Sequence, residues 1–202
     1  MNKINIGFWA ALLTTTFGCL FIAALFASLL GLLPQPWDTF WQLLPSIFLA
    51  WSFMTLMACY YKSIPNENNI YLLIGFGFSL IYATINSIVY FTELTVVIPA
   101  ILSGTQSNME VLLFEPGKFL FAINGLAYTL MSLSVLISSL SFRFIKNQSF
   151  VKYSMIAHGL IAPFVFGAVV WEPLKYIGAL WIITFPMFGI ASIKYFFKLE
   201  IG

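Results

Sequence analysis

Residues 70–98 read IYLLIGFGFSLIYATINSIVYFTELTVVI, and one charged side chain, Glu93, sits far along the run. The stretch exceeds the roughly 20 apolar residues that a helix needs to cross a bilayer. Wound at 3.6 residues per turn, Gly75, Ser79, Tyr82, Asn86, Tyr90 and Glu93 fall within an arc of about 80° on one face. The opposite face carries mostly Ile, Leu, Val and Phe. In lipid a polar face turns inward, toward other helices or a wet cavity. Gly75 and Ser79 allow close helix approach, while Asn86 and the tyrosines offer hydrogen bonds across the interface. The stretch therefore reads as a transmembrane helix with a polar buried face.

The rest of the chain repeats the pattern. Residues are 61% hydrophobic and 8% charged, with mean hydropathy +0.96, whereas soluble domains carry about 25% charged residues. A net charge of +2 and the lack of a basic patch interleaved with aromatics argue against a nucleic-acid binder. Five further segments qualify as spans, 8–33, 40–61, 118–142, 150–171 and 175–197, which with 70–98 predicts an all-α bundle of six transmembrane helices in one domain over 1–202. The apolar run from Ile6 to Leu33 exceeds a signal-peptide core of roughly 7–15 residues and no A-x-A site follows it, so it is expected to remain as the first span. Pro45 and Trp51 in the second span echo Pro163 and Trp171 in the fifth, but the spacing differs and no repeat is assigned.

Basic residues set the expected orientation. Lys3, Lys62, Arg143, Lys146, Lys152, Lys194 and Lys198 collect on one side, against Lys118 and Lys175 on the other. Both termini are thus expected in the cytoplasm, with Asp38, Glu110, Glu115 and Glu172 outside. Aromatic belts are expected from Trp37, Trp41, Trp171 and Tyr176 outside, and from Trp9, Tyr60, Tyr61, Tyr153 and Tyr195 inside. Cys19 and Cys59 lie at different depths, which predicts free, buried thiols rather than a disulfide.

Depth identifies the candidate site. Glu93 lies about 35 Å along the helix axis from Ile70, near the outer boundary of a hydrocarbon layer about 30 Å thick. The apolar LTVVIPAIL that follows implies either that the helix continues or that Pro99 ends it. Asn124 and Tyr128 of the fourth span share a face at a depth comparable with Tyr90 and Glu93. Adjacent third and fourth spans would gather Tyr82, Asn86, Tyr90, Glu93, Asn124 and Tyr128 into an outer-half polar pocket. The Ser103–Gly117 loop, with Val111, Leu112, Leu113 and Phe114, would lie along the interface or fold back as a lid. A purely structural Glu93 would instead be hydrogen-bonded by tyrosine and asparagine, or paired with Lys118 or Lys175.

His158, the single histidine, falls in the cytoplasmic half of the fifth span. Ser134 or Ser138 is its expected hydroxyl partner, and a proton site there is a further possibility. One histidine and two separated cysteines supply no metal-ligand cluster. No H-E-x-x-H, G-x-S-x-G or P-loop pattern occurs, so neither a catalytic residue nor a cofactor is assigned and an enzyme is disfavoured.

The segments YFTELTVVIPAIL and EPGKFLFAINGLAYTLMSLSVL resemble stretches of a family of small bacterial six-span integral membrane proteins of about this length. The resemblance implies a bacterial inner-membrane protein and brings no activity with it. The combined expectation is binding or movement of a small or lipid-like ligand through the pocket between the third and fourth spans. The alternative is a non-enzymatic assembly subunit whose polar stripe packs against a partner helix. Membrane lipid, a small molecule, a second copy or another membrane protein are the partners envisaged.

Overall fold

The computed structural model describes residues 3–64, 69–144 and 148–201. The loop residues 65–68 and Lys146, which entered the loop and orientation reading, lie outside that set. The structure is 88% helical with no strand among the described residues, and six helices are long and apolar enough to cross a membrane.

In chain order the helices are α1 (Lys3–Leu29), α2 (Trp37–Ser63), α3 (Asn69–Thr92), α4 (Ile98–Ser103), α5 (Phe119–Ser139), α6 (Ser149–Gly159), α7 (Ala162–Val170), α8 (Lys175–Gly178) and α9 (Trp181–Ile201). A π-helical turn, Glu93–Val97, joins α3 to α4 without a break, and 3₁₀ turns lie at Gln106–Leu112, Leu140–Phe144 and Glu172–Leu174. α1 ends at Leu29, short of the expected Leu33, and the chain turns through Gly31 at φ 69°.

Each long element packs on the next: α1 on α2, α2 on α3, α3 on α5, α5 on α6 and α7, and α6 on α9, which returns to α1 and closes a ring. Aromatic side chains fill its interior, with Phe53, Tyr60, Tyr82, Phe142, Phe185 and Phe188 all buried. The outward faces carry large apolar side chains, including Ile88, Phe91, Phe166 and Val170, a surface suited to lipid rather than water.

Proline explains two irregularities. Pro163 lacks the N–H that would bond the Gly159 carbonyl, and its ring crowds that oxygen, so the fifth span divides into α6 and α7. Pro99 sets the same problem for Thr95, yet the helix continues to Ser103. Widening the preceding turn resolves it: the Ile98 N–H reaches back five residues to the Glu93 carbonyl, and Pro99 occupies the first turn of α4, where its missing donor costs little. Gly104, at φ 71°, then caps α4 through its N–H to Ala100 and Ile101.

Three expectations need correction. Cys19 is exposed rather than buried, because α1 turns Ala11, Thr14 and Gly18 inward and leaves Cys19 with Leu20 on its outward face. Tyr60 and Tyr195 are buried, not part of a belt. Their rings meet 5.3 Å apart, tilted by 37°, and pack on Phe142 and Phe196, so aromatic packing holds them inside.

Candidate functional site

Leu72, Gly75, Ser79, Tyr82, Asn86, Tyr90 and Glu93 form the buried side of α3 and its π turn, while Leu73, Ile81, Ile88 and Phe91 face outward. At the lower end of this stripe α3 and α5 nearly touch. A Cβ on Gly75 would lie 2.1 Å from the Ser138 hydroxyl oxygen and 2.6 Å from the Ser134 carbonyl oxygen. Ser134 uses that proximity to donate to the Gly75 carbonyl at 2.7 Å. A small residue at the crossing thus permits an interhelical hydrogen bond that any side chain would block.

About four turns further along α3, the same pair of helices brings Tyr90, Asn124 and Tyr128 together. The Tyr90 hydroxyl oxygen lies 2.8 Å from Asn124 Oδ1 and 3.0 Å from the Tyr128 hydroxyl. With a single proton to give, Tyr90 donates to the asparagine and accepts from Tyr128. The Tyr82 and Tyr128 rings meet edge-on at 5.9 Å, and Tyr128 meets Trp181 of α9 at the same distance.

The remaining polar atoms are not satisfied. Asn86 is fully buried and both its Oδ1 and Nδ2 lack a partner. The Tyr82 hydroxyl points toward Asn86, one turn away, without reaching hydrogen-bond geometry. Glu93 is 1% exposed and its Oε1 also has no partner. The proposed rim pairs do not form: Lys118 is 3.5 Å from Glu110 and Lys175 is 2.5 Å from Glu172. Leaving one buried polar group unpaired costs about 1–3 kcal/mol, so three such groups on one face of one helix call for an explanation.

The loop between the spans lies over this region. Leu112 and Phe114 pack with Tyr90, Leu43, Ile47, Val89 and Leu120, and Phe114 meets Phe121 at 5.6 Å. Its 3₁₀ turn also contacts the π turn that begins at Glu93. Asn124 and Tyr128 keep partial exposure, whereas Tyr90, Asn86 and Glu93 keep almost none.

His158 sits apart, at the break between α6 and α7. Its Nδ1 lies 3.2 Å from the Thr184 hydroxyl of α9, not from Ser134 or Ser138; Ser134 is committed to Gly75. Phe185, Phe188 and Trp181 surround the ring, and Nε2 has no partner. Depth alone suggested a hydroxyl on α5, but α9 closes the ring against α6 and supplies one from the other side. Trp181 and Thr184 were not singled out in the sequence; Thr184, two residues before Pro186 inside an apolar helix, was the available signal. Among the described residues no group of His, Cys, Asp or Glu side chains could hold a metal.

No protein-family model, no curated protein and no solved structure matches the chain. What can be said of its class comes from the molecule: an all-helical ring of six apolar helices with a polar cluster under a loop.

Proposed function

We propose that the protein resides in the bacterial cytoplasmic membrane with both termini inside, and that it binds or moves a small or lipid-like ligand through the cluster between α3 and α5. The observation that carries this reading is the juxtaposition of buried, unpartnered Asn86, Glu93 and Tyr82 with the satisfied Tyr90–Asn124–Tyr128 network. A fold under selection for stability alone would fill those positions with apolar side chains. A polar headgroup entering from the Asn124 and Tyr128 side would supply the missing hydrogen bonds. Leu112 and Phe114 would be displaced to admit it, which gives the covering loop a gating role. The excess of lysine and arginine on the side of the termini supports the orientation.

The alternative, an assembly subunit that offers this stripe to a partner helix, has less support, because α5 already occupies the stripe from Gly75 to Tyr90.

Native mass spectrometry of the protein in nanodiscs of bacterial polar lipid extract tests the proposal. The unaltered protein should carry a bound small molecule or lipid. Asn86→Leu and Glu93→Gln should each reduce its occupancy about tenfold or more, while Tyr195→Phe, at the far end, should retain it. Identical adducts in all four proteins would sink the reading.

A further inference from the structure

The end of the ring that holds the chain termini carries a second feature, independent of the polar cluster. Between α1, α2 and α9 lies a cavity of about 480 Å³, lined by Ile6, Ala58, Cys59, Phe196 and Leu199 with Lys62 at its edge. Ligand pockets commonly measure about 300–1,000 Å³. Ser63 completes the wall, its hydroxyl held by the Tyr60 carbonyl at 2.9 Å and the Tyr195 hydroxyl at 3.0 Å. Thr55, also in the wall, donates to the Trp51 carbonyl at 2.9 Å, so both wall hydroxyls are satisfied within the chain and the rest of the lining is hydrocarbon, a thiol and one ammonium group.

Charge decides the occupant. Lys62 is exposed and takes part in no ion pair among the described residues; its ammonium lies 5.6 Å from the centre of the Tyr61 ring. Lys152, Lys194 and Lys198 share this end of the ring. Every acidic side chain that is described lies toward the other end: Asp38, Glu93, Glu110, Glu115 and Glu172. An apolar cavity whose wall carries an ammonium group unpaired among the described residues complements a lipid whose headgroup is anionic. We infer that this cavity holds an acyl chain of an anionic diacyl phospholipid, with the phosphate on Lys62. Cys59 lies in its wall as a free thiol and reports occupancy directly.

The experiment compares nanodiscs of pure phosphatidylcholine with nanodiscs containing increasing phosphatidylglycerol, using full-length protein with Cys19→Ser so that Cys59 is the only thiol. The rate of Cys59 alkylation by N-ethylmaleimide is read in each. Phosphatidylglycerol should slow alkylation in a saturable way, and Lys62→Gln should require about fivefold more of it for the same protection. Taking the ratio of rates within each variant cancels the effect of the Lys62 substitution on the thiol. Following the alkylation rate against pH in each lipid separates a shifted thiol titration in the charged bilayer from protection by a bound chain. Equal rates in the two lipids, or an unchanged requirement in Lys62→Gln, would overturn the inference. So would equal protection by oleate in phosphatidylcholine discs, which would assign the cavity to a free acid. Ala58→Trp, which fills the cavity, should abolish phosphatidylglycerol retention in native mass spectra; retention there would place the lipid elsewhere on the surface.

Discussion

Tyr90 and Tyr60 are both buried tyrosines of the same ring, one toward each end, and their surroundings differ in kind. The Tyr90 hydroxyl is held by two partners from α5, beside an asparagine and a glutamate that have none. The Tyr60 hydroxyl lies near Ser192 without reaching hydrogen-bond geometry, and its ring is wedged among Phe142, Tyr195 and Phe196 at 4.9–5.5 Å. At the Tyr60 end stability comes from aromatic contact, each pair being worth about 0.5–1.5 kcal/mol beyond burial. At the Tyr90 end polar groups are concentrated beyond what the fold can satisfy. The difference teaches where to look for recognition of a polar group, and where to look for recognition of hydrocarbon.

The largest effect is expected where the two regimes share a support, the α3–α5 crossing. Gly75→Val should cost about 3 kcal/mol or prevent assembly, the upper end of overpacking penalties, because one of the blocked atoms is backbone. Gly77, one turn fragment away, has nothing within 4 Å of its would-be Cβ. Gly77→Ala should therefore gain about 0.5–1 kcal/mol from helix propensity. Thermal unfolding in detergent, followed by far-ultraviolet circular dichroism, measures both. Equal destabilisation would mean that the close approach at Gly75 is not what holds these helices together.

Asn86→Leu comes next, and its sign is the sharpest probe of the comparison. Replacing a buried, unsatisfied amide by an apolar side chain of similar volume should stabilise the protein by about 1–3 kcal/mol. A residue kept for a ligand at the expense of stability behaves this way. A loss of stability would make Asn86 structural, and the two ends would no longer differ in purpose.

How much of this could be read in the sequence follows from which interactions are local. The facing of α3 is set by spacings of three and four residues, so the stripe from Gly75 to Glu93 is legible in one helix. The meeting of Tyr90 with Asn124 and Tyr128 is legible because consecutive spans run antiparallel, which places the end of one and the start of the next at the same depth. Ring closure is not local. The partner of His158 comes from α9, and the cavity at Lys62 needs Ile6, Lys62 and Leu199, three residues spread over the whole chain. The π turn was also hidden: an acidic residue before V-V-I-P gave a choice between stopping and continuing, and widening one turn is a third solution that hydrophobic periodicity does not encode. Which face of α1 turns outward, and with it the exposure of Cys19, was invisible because the apolar faces of that helix are alike all round.

Tyr90→Phe and Tyr195→Phe form the finest test, since each deletes one hydroxyl and leaves the ring. Removing the Tyr90 oxygen strands Asn124 Oδ1 and leaves the Tyr128 proton without its acceptor. That should cost about 1–3 kcal/mol, the two bonds meeting at a hydroxyl whose residue is 1% exposed. Removing the Tyr195 oxygen takes one bond from Ser63, which still donates to the Tyr60 carbonyl, and leaves the contacts with Tyr60, Phe142 and Phe196 in place. Its expected cost is at most about 0.5 kcal/mol, the low end for a single satisfied hydrogen bond. Both variants would be measured by the same thermal unfolding, at equal detergent concentration. If Tyr195→Phe destabilised as much as Tyr90→Phe, the basic end would depend on its hydroxyls as the other does, and aromatic packing alone would not account for how it holds together.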